Sequence, residues 1–419
     1  GHFGGVGIRF MIIRDTLVVI NAIEGGPSFL AGIKKRDRII KVDGDNIASV
    51  GIRNSDVLKR LKGPINSGVS ITVYSPNSKQ EKTVEIKRGM IAINSVAASL
   101  LIHENIGYIK LSNFSDKSEK ELVESIINLK EQGMTKLILD LRFNGGGYLH
   151  GAVGVADQFL ENDKLIVYTQ GMHSPKREFK SSERSVFQNG DLIVLANSLS
   201  ASASEIVCGA LQDHKRATIM GRRTFGKGLV QQPIMLSDSS ELRITTSRYY
   251  TPSGKCIQKP YGNNIDYEED IYQRMDNGEL TNSDYLNDTS SKTYGDGGII
   301  PDVFIPIDTS INSLSFNELL YTSTLRDFCF DYFESYPMTP YHDIYDFNKE
   351  FNVDQLMVRK LLQKTEIIHF EDMSDDEISE LKWRIKGEIA SYYFNENSKY
   401  LIYSFEDIDI STAVNFLSK

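Results

Sequence analysis

Cysteine is scarce in this chain, with three residues in 419 and no C-x-x-C pair. Nothing in that count indicates a disulfide framework or a zinc ribbon, and Cys208, inside a helical pattern, reads as a small core residue. No apolar run approaches the ~18–20 residues that a membrane span needs. Positive charge is in deficit: 47 Lys and Arg stand against 56 Asp and Glu, for a net charge of −9. A dedicated nucleic-acid binder, which needs a basic surface for phosphates, is excluded on that ground. Heptads, collagen periods and internal repeats are all absent. What remains is globular in type, 40% hydrophobic and 25% charged, and at ~150 residues per domain the length predicts about three domains, or two with elaborations. Gly1-His2 reads as an added remnant, so any targeting segment is expected upstream of Phe3.

Short apolar strands alternate with turns through the first ~88 residues. The pattern predicts strands at Val6–Ile13, Thr16–Ile23, Arg38–Val42, Val69–Tyr74 and Lys82–Ile86, with helices at Pro27–Ala31 and Ser55–Leu61. Such a set suits a small β-barrel-like module. Beyond Met90, strands at Ile106–Ser112, Lys136–Leu141, Lys164–Tyr168, Asp191–Ala196 and Ala217–Met220 alternate with helices at Ser118–Gln132, to Leu160 and to Leu211. This β-α-β order predicts a parallel-rich α/β sheet. Leu229–Leu236 and Leu242–Tyr250 read as a closing β pair, 258–297 as a polar excursion, and Ile299–Ile307 as a further strand. After Asp308 the chain turns helical, with candidate helices at Phe316–Ser335, Val353–Thr365 and Asp375–Phe394.

The densest chemical signal is Asn197-Ser198-Leu199-Ser200-Ala201-Ser202-Ala203-Ser204-Glu205, which joins an apolar strand to a helix. A serine at such a turn projects from the sheet edge, beside helix-terminal N–H groups that can hold an oxyanion. Ser202-x-x-Glu205 is also a capping box, and four serines at alternate positions leave the nucleophile open. No G-x-S-x-G elbow occurs, and His103, His150, His173 and His214 fall in no triad pattern. A lysine whose pKa is lowered by burial can serve as the base instead. Lys227 lies between two glycines at the entry to an apolar strand, with Gln231 four residues on. The segment 221–228 nearly spells a phosphate-binding loop, but Gly228 stands where a hydroxyl is required and a strand, not a helix, follows. Asn144–Gly147 lacks dinucleotide-loop spacing; its tight turn could instead bring backbone amides toward the serine.

Taken together, Ser-Ala-Ser-Ala-Ser-Glu-Ile, Thr-Phe-Gly-Lys-Gly-x-Val-Gln, Thr-Thr-Ser-Arg-Tyr-Tyr-Thr-Pro-Ser-Gly-Lys and Gly-Gly-Ile-Ile-Pro-Asp resemble the carboxyl-terminal processing proteases, serine peptidases with a Ser/Lys dyad. At the front, Gly5-Val6-Gly7-Ile8, Gly26–Gly32 and Asp37–Gly44 resemble the PDZ domain of that family. The resemblance runs from Phe3 to about Asp308. It implies Ser202 as nucleophile, Lys227 as general base and Gln231 as its support. It also implies oxyanion donors at the Ala203 amide and at Gly145 or Gly146. Arg36 departs from the pattern, standing where glycine is usual before Asp37.

The expected fold is a mixed α/β and β multidomain chain: a PDZ domain at 3–88, a protease core with a parallel-rich sheet at 89–308, and a helical extension at 309–419. Consecutive amides at Gly5, Val6, Gly7 and Ile8 would hold a terminal carboxylate, with Val6, Ile8, Phe10 and the Ser55–Leu61 helix lining a side-chain pocket. The implied activity is endoproteolysis of proteins with apolar free C-termini, with no metal, organic cofactor or nucleic acid, in the cell envelope and specifically the periplasm. A homo-oligomer and an adaptor or activator are left open. The competing reading is a catalytically silent PDZ scaffold on a protease-like fold.

Overall fold

Period-two alternation of apolar residues builds the first unit. The computed structural model describes residues 4–23, 25–76, 78–91, 94–238, 240–260, 269–282, 297–311 and 313–419, and these group into two compact units, 1–93 and 94–419. In the first, β1 (Gly4–Gly5) precedes β2 (Ile8–Ile13), β3 (Thr16–Ala22), α1 (Pro27–Leu30), β4 (Arg38–Val42) and β5 (Asp45–Asn46). Then follow α2 (Asn54–Leu61), β6 (Gly68–Ser75), β7 (Gln80–Lys87) and β8 (Gly89–Met90). The sheet order is β2-β3-β4-β6-β7, which leaves β2 at an edge. Val69, Ile71 and Val73 of β6 point inward onto Leu17, Ile39 and Val57, as a half-buried strand requires. The first predicted strand begins two residues later than expected, because Val6 and Gly7 form a loop: the Val6 carbonyl accepts from Ser28 N–H and the Gly7 carbonyl from Ile23 N–H.

The second unit comprises β9 (Val96–His103), β10 (Ile106–Leu111), α3 (Ser118–Glu131), β11 (Lys136–Asp140), α4 (Leu149–Asp157), β12 (Leu165–Gln170) and β13 (Arg177–Lys180). It continues with β14 (Leu192–Ala196), α5 (Ala203–Asp213), β15 (Thr218–Gly221), β16 (Leu229–Met235), β17 (Glu241–Tyr250), α6 (Asp270–Asp276) and β18 (Val303–Phe304). The main sheet runs β18-β15-β14-β11-β10-β9, parallel throughout except for the antiparallel edge strand β9. Both faces of its central strands are covered, which is why they read as unbroken apolar runs. Leu137, Leu139 and Val194 join the core under α3, α4 and α5. Their neighbours Ile138, Ile193 and Leu195 pack on the opposite face against Ile410, Ala413 and Leu417.

Those last three residues belong to the C-terminal helices: α7 (Leu314–Tyr321), α8 (Thr324–Ser335), α9 (Ile344–Glu350), α10 (Gln355–Leu362), α11 (Asp375–Tyr393), α12 (Glu396–Ser404) and α13 (Ile408–Leu417). The segment expected as a separate extension thus contributes α13 to the second face of the sheet. Four local expectations are corrected. The strand at 165–170 is not in the parallel sheet but in an antiparallel one ordered β13-β12-β17-β16. Ile299–Ile307 contains only the two-residue β18, because Ile299 N–H is held by the Thr224 hydroxyl instead of a neighbouring strand. The helix expected over Phe316–Ser335 breaks where Thr322 turns extended and its hydroxyl donates to the Leu319 carbonyl. Part of the polar excursion is folded, as α6; residues 261–268 and 283–296 lie outside the described residues.

Candidate active site

The strand-to-helix turn after β14 discriminates among its serines. Ser200 and Ser204 are fully buried, their hydroxyls donated to the Leu141 and Asn144 carbonyls at 2.8 Å. Those two are structural. Ser202, only half-buried, sits at the N-cap of α5 with φ 56° and ψ −111°, a conformation costly for a residue with a Cβ. Ala203 opens the helix, so its N–H is among those a helix leaves without an internal partner.

Glu205 fixes this turn. Its carboxylate is wholly buried and accepts four hydrogen bonds: Thr224 Oγ1 and Gly226 N–H on Oε1, both at 2.6 Å, and Ser202 N–H at 2.7 Å and Lys227 N–H at 2.8 Å on Oε2. The capping relation read from Ser202-x-x-Glu205 is therefore present, and the same carboxylate oxygen also takes the amide of Lys227. Burial raises the Glu205 carboxyl pKa, while these four donors pull it down. Thr224 already accepts from Ile299 N–H, which leaves its own proton for Glu205.

The turn after β11 closes over the serine. The Asn144 side chain bridges the Leu111 carbonyl at 2.8 Å and the Gly146 N–H at 2.9 Å, and its backbone carbonyl accepts from Ala201 N–H at 3.0 Å. Gly146, at φ 104°, lies so close that an added Cβ would stand 2.8 Å from Ser202 Cβ and 3.0 Å from Ala203 N. Gly146 commits its own N–H to Asn144, whereas Gly145 is exposed with open space around it.

Lys227 is half-buried on a loop held from outside. The Arg274 guanidinium, fully buried on α6, donates to the Thr224 carbonyl at 2.9 Å and the Phe225 carbonyl at 3.2 Å, and Lys259 Nζ stands 4.0 Å from the Phe225 ring centre. Gln231 lies exposed on β16, and among the described residues neither its side chain nor Lys227 Nζ forms a hydrogen bond. No hydrogen bond joins these two expected partners. Two of the histidines have partners of their own: His150 Nε2 meets Asp116 at 2.6 Å, and His214 Nε2 meets the Leu165 carbonyl at 2.7 Å.

Behind the site lies a buried ionic cluster that sequence reasoning missed. Asp140 accepts from Tyr108, Lys110 and Arg142, and Arg142 and Arg222 both reach Asp409 on α13. Burial pushes the Asp140 carboxyl up, but the Arg142 guanidinium and the Lys110 ammonium overcome it and hold the group far below the usual carboxylate range. The available signal was the Asp-Leu-Arg that ends the apolar run of β11, where charge has no solvent to enter.

In the first unit, Gly5 pairs with Gly89 and Gly7 adopts φ 73°. Val6 is part of the core and cannot line a ligand pocket, which corrects that expectation. Ile8 and Phe10 are half-buried on β2, and Leu58 is exposed on α2.

Residues 4–87 match the family model described as PDZ domain, and residues 105–269 that of peptidase family S41. A carboxyl-terminal-processing protease of Picosynechococcus sp. is 37% identical over 266 residues, covering 62% of this chain and 63% of that protein. A carboxy-terminal-processing protease of Bartonella bacilliformis is 36% identical over 262 residues, covering 62% and 59%. A solved photosystem II D1 C-terminal processing protease is 29% identical over 73% of each chain, with a TM-score of 0.37, too loose an overlay to add to the assignment. The match spans under two thirds of the length of these curated relatives. Residues 4–87 thus match a PDZ domain and residues 105–269 a peptidase family S41 core, and over that stretch the chain is similar to the carboxyl-terminal-processing proteases.

Proposed function

We propose that the chain is a serine endopeptidase that takes hold of protein C-termini through its PDZ domain and cuts upstream with Ser202 and Lys227. The observation that carries this reading is the single Glu205 oxygen shared by the amides of those two residues, with Gly146 packed on the serine. Ser202 Oγ attacks the scissile carbonyl carbon while the Lys227 amine takes its proton. The oxyanion settles on the Ala203 and Gly145 amides, Gly146 having no N–H to offer. Lys227 returns the proton to the leaving amine, and water then hydrolyses the acyl-enzyme. Gln231 would hold the Lys227 amine once that side chain turns toward β16, so its loss should cost less than either dyad change.

The edge position of β2 supports recognition of a tail: an extended peptide can add beside it, its terminal carboxylate on amides of the Gly5–Ile8 loop and its apolar side chain against Ile8 and Phe10. The similarity to bacterial carboxyl-terminal-processing proteases supports a cell-envelope location, and the periplasm is the compartment proposed. Degradation of an unfolded protein with an apolar C-terminus tests the reading. Ser202→Ala and Lys227→Arg should both abolish it, since arginine cannot act as a base; Ser200→Ala should retain it. A fully active Ser202→Ala protein would favour the silent-scaffold reading instead.

A further inference from the structure

We propose that Asp409, on the C-terminal helix α13, is a positioning residue for both catalytic loops. The inference rests on the Ser202/Lys227 reading above, and reaches a segment outside the family matches, which end at residue 269. Asp409 is buried, and its two oxygens meet two guanidiniums. Oδ2 accepts from Arg142 Nη1 at 2.8 Å and Arg222 Nη2 at 2.7 Å, and Oδ1 from Arg222 Nη1 at 3.1 Å. Each arginine begins one loop of the site. Arg142 leads from β11 into the Asn144–Gly147 turn that covers Ser202, and Arg222 leads from β15 into the loop that carries Lys227. One carboxylate therefore ties the roots of the oxyanion turn and of the general-base loop.

The surroundings leave it no substitute. Lys110, Arg142 and Arg222 face Asp140, Asp407 and Asp409, three cations against three anions, and two of the anions come from the α13 segment. Asp140 is already taken by Tyr108, Lys110 and Arg142. Asp407 reaches Arg142 alone, and also caps α13 through Ile410 N–H. Without the Asp409 charge, Arg222 keeps only the Ile305 carbonyl at 3.0 Å among these partners. A buried guanidinium left so poorly paired moves or draws in water. Displacing a loop root by about 1 Å is enough to cost on the order of a hundredfold in rate.

The test uses the full chain and a small p-nitrophenyl ester, whose turnover needs no C-terminal tail. Asp409→Asn keeps the shape and removes the charge. Val414→Ala, on the same helix but touching no arginine, is the control for lost packing. At a temperature where circular dichroism shows every variant folded, Asp409→Asn should lower kcat at least tenfold with KM nearly unchanged. Val414→Ala should stay within twofold of wild type whatever its Tm. Asp409→Asn combined with Arg222→Met restores the charge balance, so its Tm should recover while kcat stays low. A wild-type kcat in Asp409→Asn, losses that follow Tm equally in all variants, or full activity in the double variant would overturn the proposal. Ser202→Ala separates the two levels. If it hydrolyses the ester as fast as wild type, both the peptidase reading and this inference fall; if it is inactive, the Asp409 series judges the inference alone.

Discussion

Replacing Glu205 by glutamine exchanges one carboxylate oxygen for an amide nitrogen at a place where every neighbour is a donor. If the new NH2 pointed toward Ser202 and Lys227, both of those amides would lose their acceptor, at about 1–3 kcal/mol for each buried unsatisfied donor. The opposite orientation is cheaper. Thr224 Oγ1 can accept from the NH2 as well as from Ile299 N–H, so the donors left without an acceptor are the Gly226 amide and the Thr224 hydroxyl proton. The expected loss is therefore about 2–6 kcal/mol for two such donors, partly offset by the new NH2–Thr224 contact and because a charge no longer has to be buried. The chain's single tryptophan, Trp383, lies in the second unit with its indole N–H on the Ile402 carbonyl at 2.9 Å, so fluorescence during urea unfolding reads this unit. Glu205→Gln should remain folded with a lower midpoint, and should lose at least tenfold in kcat, because the freed Gly226 amide adjoins Lys227. Glu205→Ala orphans all four donors, about 4–12 kcal/mol at the same rate, comparable with the whole stability of a typical domain at ~5–15 kcal/mol. It should not fold at room temperature. An unchanged midpoint and unchanged turnover in Glu205→Gln would refute the claim that this carboxylate organises the site.

Arg36 adopts φ 74°, where a side chain costs roughly 1–2 kcal/mol and glycine nothing, so Arg36→Gly should stabilise the first unit despite the greater freedom of an unfolded glycine. Amide exchange at Val19 and Asp37 in the full chain should slow; faster exchange would contradict the strain argument. Asp140 predicts an acid limit. Between the ordinary aspartate value of about 3.9 and its much lower folded value, the unfolded chain binds a proton that the folded chain does not. Its contribution is complete above pH ~4 and is lost as the pH falls toward the folded value, so the urea midpoint should drop on acidification; a midpoint that rose would show that Asp140 is not held ionised. Amidating a substrate's C-terminus removes one charge-assisted contact, worth about 1.5–3 kcal/mol, and should cut kcat/KM roughly ten- to a hundredfold without moving the cleaved bond. Equal cleavage of acid and amide forms would remove the tail-recognition claim.

Where one face of an element meets the core, its residues declared it. The apolar runs of β11 and β14 announced burial on both sides, and the structure supplies the two layers: helices on one face and α13 on the other. Less legible was β9, whose Val-Ala-Ala-Ser sequence shows no alternation because its residues are only partly covered at the sheet edge. The excursion reads as polar from its charges, yet Arg274 and Glu279 are buried: Arg274 pairs with Asp270 one turn away, and Glu279 with Arg223, 56 residues distant. Composition counts charges; it does not pair them. Glu205 shows the same limit at the site itself, since a capping box accounts for Ser202 but carries no sign that Thr224, Gly226 and Lys227 share the carboxylate.

The bonds from Asp409 to Arg142 and Arg222 span 267 and 187 residues of sequence. Contacts of such separation carry a large loop-closure entropy and form after local ones in the course of folding. The helices and adjacent parallel strands can therefore assemble while the two loop roots still lack their shared carboxylate. Seen in time, the chain acquires its shape before it acquires its reactive geometry. On the proposed peptidase reading, partly folded molecules pass through that interval without a finished site.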